Sequence, residues 1–184
     1  YKDAIKNYND AFLIYEKLDD KKKMATIYNS LGINYSELYS EDRAIEYYLK
    51  SLNLNKEISN ENGIASNYTN IGNLYYTEEN YDLAEKYFRD ALLIYEKLND
   101  KFGISSSFTN IANAMADNGK VEDGLDYYKK SIAIEEELGD QYGIAINYNN
   151  IGDCYINLKQ YNEAMEYLDK AMKIADSLGE RDLQ

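Results

Sequence analysis

Residues 68–98 read YTNIGNLYYTEENYDLAEKYFRDALLIYEKL, and this stretch decides the fold. Its first part carries apolar or small residues three and four positions apart, the spacing that puts them on one stripe of a helix: Tyr68, Ile71, Gly72 and Tyr75. After a polar break at 79–80, apolar residues continue with the same spacing to Leu98. The stretch therefore predicts a hairpin of two antiparallel helices, which we name helix A and helix B.

The same pattern returns every forty residues without insertion or deletion. Four equivalent pairs mark helix A, Leu31-Gly32, Ile71-Gly72, Ile111-Ala112 and Ile151-Gly152, and a column of small residues marks helix B, Ala4, Ala44, Ala84, Gly124 and Ala164. Small residues allow two helices to approach closely, and aromatic side chains fill the space beside them. A strict period of this kind predicts an all-α solenoid in which each hairpin stacks on the next.

The repeats divide the whole chain. We predict about nine helices: an unpaired B helix within residues 1–20, followed by four A/B pairs at 24–60, 64–100, 104–140 and 144–180. One column at the start of each A helix offers side chains that can accept hydrogen bonds from free amides, namely Asp20, Asn60, Asp100 and Asp140. Residues 1–184 are expected to form a single array, cut from a longer chain because the sequence opens at Tyr1 inside a repeat.

The spacing of Tyr28, Leu31, Gly32 and Tyr35, followed by Ala44 and Tyr48, resembles the tetratricopeptide repeat (TPR) pattern over nearly the whole chain. The period of forty is longer than the common thirty-four, and the third repeat departs with Ala112, Met115 and Gly124. The resemblance implies a right-handed superhelical solenoid of antiparallel helix hairpins. In such a solenoid helix A lines the concave surface and helix B the convex one.

Charge is distributed unevenly between the two kinds of helix. The A segments at 24–36, 64–76, 104–116 and 144–156 contain a single charged residue, Asp153, although the chain holds 20 basic and 33 acidic residues. With the TPR resemblance, this distribution implies a neutral concave groove inside an acidic shell.

Asparagine recurs on the stripe of helix A opposite its core residues. An asparagine side chain both donates and accepts, so it can bind the C=O and N–H of an extended peptide backbone together. The candidate peptide-binding residues are Asn70, Asn73, Asn110, Asn113, Asn149, Asn150 and Asp153. TPR receptors of bacterial signalling peptides and kinesin light chains, which this chain resembles in repeat style, use groove asparagines in this way. The alternative is compositional bias toward asparagine and tyrosine.

Few residues suit catalysis. The chain has no histidine and one cysteine, Cys154, which is interpreted as a buried packing thiol. The acidic run at 135–137 is interpreted as a solvated helix face rather than an acid/base pair. Phosphate-binding and calcium-binding loops are missing from the sequence. We expect no enzymatic activity, no metal site and no cofactor; an enzyme would need catalytic residues outside this segment.

Composition also limits partners. The net charge of −13 disfavours nucleic acid, since few cations are left to displace counterions from a phosphate backbone. No apolar run approaches the ~18 residues that a membrane span needs. Two glycosylation sequons, at Asn34 and Asn67, fall inside predicted helices where a glycan would clash. We expect a cytoplasmic protein that binds neither nucleic acid nor membrane.

Two functions follow from the sequence. The first is a protein- or peptide-binding TPR module, the sensory or scaffolding part of a bacterial signalling protein, which holds an extended peptide in its neutral Asn/Ser/Thr-lined groove. The second is a structural spacer or self-assembling array, which binds through its uncapped ends or its convex face. The Tyr column at 47, 87, 127 and 167 is interpreted as packing between helices rather than a base-stacking platform.

Overall fold

A computed structural model describes residues 2–182 of the chain, with the side chains of residues 5–179. The described residues form nine helices and no strand. Their bounds are α1 Lys2–Lys17, α2 Lys21–Ser36, α3 Glu41–Glu57, α4 Glu61–Thr77, α5 Tyr81–Leu98, α6 Lys101–Asp117, α7 Val121–Leu138, α8 Gln141–Asn157 and α9 Tyr161–Asp182. The predicted all-α fold is confirmed: α2, α4, α6 and α8 are the A helices, and the others are the B helices.

The turns between the helices share one geometry. One residue in each turn has a positive φ, and these residues are spaced exactly twenty apart: Asp19, Tyr39, Ser59, Glu79, Asn99, Gly119, Gly139 and Lys159. The amide that follows donates back to a carbonyl five residues earlier, as Asn80 does to Tyr75 at 2.8 Å and Lys120 to Met115 at 2.8 Å. This pattern is the Schellman motif, which satisfies carbonyls at the end of a helix.

The predicted caps are confirmed at three of four positions. The side chains of Asp20, Asp100 and Asp140 each accept a hydrogen bond at 3.0 Å from an amide three residues later. The prediction for Asn60 is wrong, because its side chain caps no amide. The side-chain amide of Asn60 instead donates to the Oδ1 of Asn55 at 2.8 Å.

Small residues on the A helices make room for large side chains on the B helices. A Cβ added to Gly32 would lie 2.5 Å from the ring of Tyr48, and one added to Gly72 would lie 2.6 Å from Phe88. At the equivalent position of the fourth repeat, Leu168 lies over Gly152. The repeated glycine in the sequence is therefore a packing requirement.

The helices form two compact units, the first ending at Ile94 and the second beginning at Tyr95, so that the boundary falls inside α5. In the first unit α2 contacts both its partner α3 and the next A helix, α4. In the second unit α6 likewise contacts α7 and α8. Successive A helices therefore lie side by side within each unit.

The tyrosines of the column at 47, 87, 127 and 167 pack between the helices of their own hairpins. Tyr47 stacks on Tyr35 with ring centroids 5.3 Å apart, and Tyr87 stacks on Tyr75 at 5.5 Å. A lysine of helix B covers several of these pairs, as Lys170 covers Tyr167 at 4.5 Å. The interpretation of this column as packing is confirmed.

Candidate functional site

The predicted peptide-binding residues of the first unit lie on one surface of α4. Asn70 is half-buried, and its Nδ2 donates to the Oδ1 of Asn29 on α2 at 2.9 Å. Asn73 is exposed. Both line a cavity of about 290 Å³ with Ile33, Tyr48 and Thr77. This cavity, which we name the first-unit cavity, is lined by residues of the neighbouring A helices α2 and α4 and by Tyr48 of α3.

In the second unit, Asn113 of α6 and Asn150 of α8 contact each other directly. The Nδ2 of Asn150 donates to the Oδ1 of Asn113 at 3.3 Å, and the hydroxyl of Tyr128 donates a short hydrogen bond to the same oxygen. These bonds fix the orientation of both carboxamides, leaving the Nδ2 of Asn113 and the Oδ1 of Asn150 for other partners. Asn110 is half-buried and makes no hydrogen bond among the described residues.

The last two candidates, Asn149 and Asp153, are exposed on α8. The Nδ2 of Asn149 lies 3.5 Å from the Oδ2 of Asp153. Asn149 and Asn150 also line a cavity of about 720 Å³ between α8 and α9, whose wall includes Leu168 and Met172. We name it the apolar cavity. Within the second unit, the five candidates thus lie on α6 and α8, and Asn149 and Asn150 are adjacent on α8.

A buried polar network in the first unit was missed by the sequence analysis. The side chain of Asn67 is 1% exposed, and its Oδ1 accepts from the Nδ2 of Asn55 at 2.8 Å and from the hydroxyl of Ser51 at 3.2 Å. Its own Nδ2 donates to Asn29 at 3.0 Å. Because Asn29 also accepts from Asn70, the network runs from the core to the first-unit cavity.

The second unit has an equivalent network with a carboxylate in it. The Nδ2 of Asn147 donates to both oxygens of Glu135, at 2.9 and 2.8 Å, and the hydroxyl of Ser131 donates to Oε1 at 3.1 Å. The Oδ1 of Asn147 accepts from Thr109 of α6 at 3.0 Å. The interpretation of residues 135–137 as a solvated face is wrong for Glu135, which is 5% exposed, and fits exposed Glu136 and Glu137.

Glu135 also lines a cavity of about 260 Å³ between α6 and α8, which we name the acidic cavity. Its lining includes Asp140, Asn110 and two large aromatic residues, Phe102 and Tyr142. Burial raises the pKa of Glu135 above its ordinary value and Asp140 raises it further, whereas the hydrogen bonds from Asn147 and Ser131 lower it. None of these influences comes from a cation.

The comparison with protein families agrees with the repeat pattern. The tetratricopeptide repeat model matches residues 40–97 and 103–177. The chain belongs to the tetratricopeptide repeat family. A curated relative, the uncharacterized protein ycf37 of Guillardia theta, is 40% identical over 52 residues, which cover 28% of this chain and 29% of that protein. The chain thus spans under a third of that relative's length.

Solved structures confirm the TPR fold. Aspartyl phosphate phosphatase F from Bacillus subtilis matches with a TM-score of 0.86 and 19% identity, over 95% of this chain and 46% of that one. A Rap protein complexed with Competence and Sporulation Factor matches with a TM-score of 0.73 and 17% identity, over 96% of this chain and 59% of that one. At these identities the likeness concerns the fold.

The TPR repeat contains a signal that would have found both networks. Ser51 and Ser131 stand eighty residues apart, as do Asn55 and Glu135, and as do Asn67 and Asn147. The repeat between them has Ala91, Tyr95 and Ser107 at these positions. Comparing alternate repeats rather than successive ones would have revealed two polar residues on a B helix and a third on the following A helix.

Other features of the TPR chain bear on partners and chemistry. Cys154 is buried, and burial raises the pKa of its thiol to about 11, which confirms a packing role for this residue. The part of the chain that the structure describes contains no cluster of three potential metal ligands. Within those same residues, no helix has the length and apolar character of a membrane span.

Proposed function

We propose that this TPR array is a non-catalytic module of a bacterial signalling protein, acting in the cytoplasm, that holds an extended peptide along its A helices. The candidate contacts are the side chains of Asn70, Asn73, Asn110, Asn113, Asn149, Asn150 and Asp153. A protein segment in extended form would bind in the same way as a free peptide, since the contacts address the backbone.

The pair formed by Asn113 and Asn150 carries this proposal. The hydrogen bond between them orients the Nδ2 of Asn113, which can donate to a ligand, and the Oδ1 of Asn150, which can accept from one. A peptide group presents the complementary pair, a C=O and an N–H. Because the carboxamides are already held by Tyr128 and by each other, little side-chain entropy is lost when a peptide binds.

The absence of charge on the surrounding helix faces supports a ligand recognised through its backbone. The A segments contain Asp153 as their single charged residue. The structural similarity to a Rap protein that was solved with Competence and Sporulation Factor is consistent with a binding role for this fold in signalling. No residue role is transferred from that structure, because only the fold is shared.

Asn110 offers the cleanest test, since its side chain has no hydrogen-bond partner to lose in the part of the chain that the structure describes. The purified chain is first screened against an array of decapeptides, and the best binder is then titrated by calorimetry. Asn110→Ala is expected to weaken binding by about 0.5–1.5 kcal/mol per lost hydrogen bond. Thermal stability should be unchanged or slightly higher, because alanine is the better helix former.

Asn53→Ala is the matched control, since Asn53 is an exposed asparagine on the B helix α3. This variant should bind the peptide as tightly as the parent chain. If Asn110→Ala and the double variant Asn110→Ala/Asn150→Ala also bind as tightly, at equal stability, the asparagines do not hold the ligand and the proposal fails.

A second function, a structural or self-assembling array, is favoured by exposed apolar side chains on α1 and α9. Leu13 and Ile14 of α1 are more than half exposed, as are Leu18 in the turn after α1 and Met165 and Met172 of α9. Sedimentation velocity over a hundredfold range of concentration tests this alternative. Reversible association that is lost in Met165→Gln/Met172→Gln would support assembly, whereas a constant monomer would exclude it.

A further inference from the structure

The acidic cavity contains a buried carboxyl group that pairs with no lysine or arginine among the described residues. The carboxylate of Glu135 is 5% exposed, and its contacts are the neutral groups of Asn147 and Ser131. Buried carboxylates in proteins are normally paired with a cation, because desolvation of an isolated charge is costly. Among the described residues no lysine or arginine takes this role.

The same cavity adds a second carboxylate. Asp140 lines it, and one oxygen of Asp140 accepts the amide of Gly143 at 3.0 Å, as required for its cap. Glu135 and Asp140 pack on the same side of Gly143, where an added Cβ would lie 2.8 Å from a carboxylate atom of each. Two like charges at one cavity create a local field that a single cation would relieve.

Two exposed aromatic residues complete the cavity. Phe102 on α6 is 64% exposed and Tyr142 on α8 is 70% exposed, although both side chains are large and apolar. Aromatic faces attract a guanidinium or ammonium group, and a guanidinium can also bind a carboxylate through two hydrogen bonds. Aromatic side chains around a carboxylate are therefore suited to a basic side chain.

We propose that the acidic cavity binds an arginine or lysine side chain of the peptide held on the A helices. The inference rests on the proposed function, because Asn110, a candidate backbone contact, lines the same cavity. The peptide backbone would lie across α6 and α8, and its basic side chain would enter between Phe102 and Tyr142 to reach Glu135. The protein would then prefer peptides that carry arginine or lysine at one particular position.

The first unit lacks this chemistry at the equivalent positions. Asn55 stands in place of Glu135, Asn62 in place of Tyr142 and Lys22 in place of Phe102. We therefore expect no preference for a cation there.

The test compares a small cation with its neutral analogue. Nα-acetylarginine amide and Nα-acetylcitrulline amide are titrated into the ¹⁵N-labelled chain at matched ionic strength, and amide shifts are followed at Gly143. The arginine derivative is expected to bind roughly tenfold more tightly than the citrulline derivative, because only the former pairs with the carboxylates. Equal affinity, or shifts located elsewhere on the chain, would overturn the proposal.

Two matched variants distinguish the effect of the buried carboxylate on arginine binding from the effect of the net charge of the protein. Glu135→Gln should remove the preference for arginine, whereas Glu136→Gln, the same change at the exposed neighbour, should retain it. If Glu135→Gln does not fold, Tyr142→Ala replaces it, since Tyr142 is mostly exposed, and a severalfold loss of arginine binding is expected. Loss of the preference in Glu136→Gln would contradict the inference.

The peptide array distinguishes this inference from the proposed function. Decapeptides that bind through Asn110 without preferring arginine or lysine at any position would refute the cationic pocket and leave the peptide-binding function intact. If Nα-acetylarginine amide shifts the amide of Gly143 while no decapeptide binds, the result would support the cationic pocket and refute the peptide-binding function.

Discussion

The first unit places a neutral amide, Asn55, at the position where the second unit places a carboxylate, Glu135. Each is bonded to a serine four residues earlier and to a buried asparagine twelve residues later. The capping residues of the two units also differ. Asn60 donates to Asn55, whereas the carboxylate of Asp140 offers no donor to Glu135 and accepts from the amide of Gly143. In the first network the side-chain oxygens of Asn29, Asn55 and Asn67 each accept from a neutral side chain, whereas the second network places a carboxyl group among neutral donors.

The largest effect is expected when the central asparagine of each network is removed. Asn147→Ala deprives the buried carboxylate of the donor to both of its oxygens and should cost about 3 kcal/mol of unfolding free energy. Asn67→Ala removes bonds between neutral groups and should cost about 2 kcal/mol. Urea denaturation measures both. An equal cost for the two variants would mean that Glu135 is uncharged in the folded protein.

The next largest loss of stability is expected when the glycine that packs against each network, Gly63 or Gly143, is replaced by alanine. A Cβ at Gly63 would lie 2.4 Å from the Oδ1 of Asn55, and one at Gly143 would lie 2.8 Å from the Cδ of Glu135. Gly63→Ala and Gly143→Ala should each cost about 1–3 kcal/mol through overpacking. Gly179→Ala is the control, because no atom of the described residues lies within 4 Å of its added Cβ, and it should stabilise α9 by up to ~1 kcal/mol.

A smaller effect is expected when the second unit is given the capping residue of the first. Asp140→Asn retains a good N-cap residue, removes a negative charge beside Glu135 and adds a donor that can reach it. We expect the unfolding free energy to rise by about 0.5–1.5 kcal/mol. The thermal melting curve provides the measurement, and a fall in stability would show that the cap requires the charge of Asp140.

The smallest effect is a dependence of the unfolding free energy on pH that comes from Glu135 in the second unit. Burial raises the pKa of Glu135 in the folded protein, so the folded state holds a proton more tightly than the unfolded state does. The contribution of Glu135 to stability therefore falls as pH rises from the ordinary glutamate pKa of 4.5 to the raised value.

Urea midpoints measured from pH ~5 to pH ~8 provide the comparison. The stability of Glu135→Gln relative to the parent chain should increase with pH over the interval in which Glu135 titrates. Asn55→Ala should show no such trend relative to the parent chain, because Asn55 does not titrate. A flat difference for Glu135→Gln would refute the raised pKa.

The helices were predictable because their determinants are local. The spacing of Tyr68, Ile71, Gly72 and Tyr75 fixes the buried stripe of an A helix, and the polar break at 79–80 fixes its end. These patterns need no knowledge of partners in space. The all-α fold, the repeat and the packing role of Cys154 were obtained in this way.

The polar networks could not be obtained so directly, because each joins three helices. Glu135 resembles its neighbour Glu136 in the sequence, and only the packing of α6, α7 and α8 makes it buried. Asn60 shares a column with three capping aspartates, yet Asn55 captures its side chain. In both cases a residue on another helix decides the outcome: Asn147 of α8 binds the carboxylate of Glu135, and Asn55 of α3 binds the side chain of Asn60.

The identical turns carry a consequence for how such a chain changes length. Since a positive-φ residue closes every helix at intervals of twenty residues, a duplication or deletion of forty codons joins matching backbone geometries wherever its endpoints fall. No new loop has to be accommodated, although the polar networks, which recur every eighty residues, keep their own partners only when eighty codons are added or removed. Arrays of different lengths are thus accessible in a single genetic step.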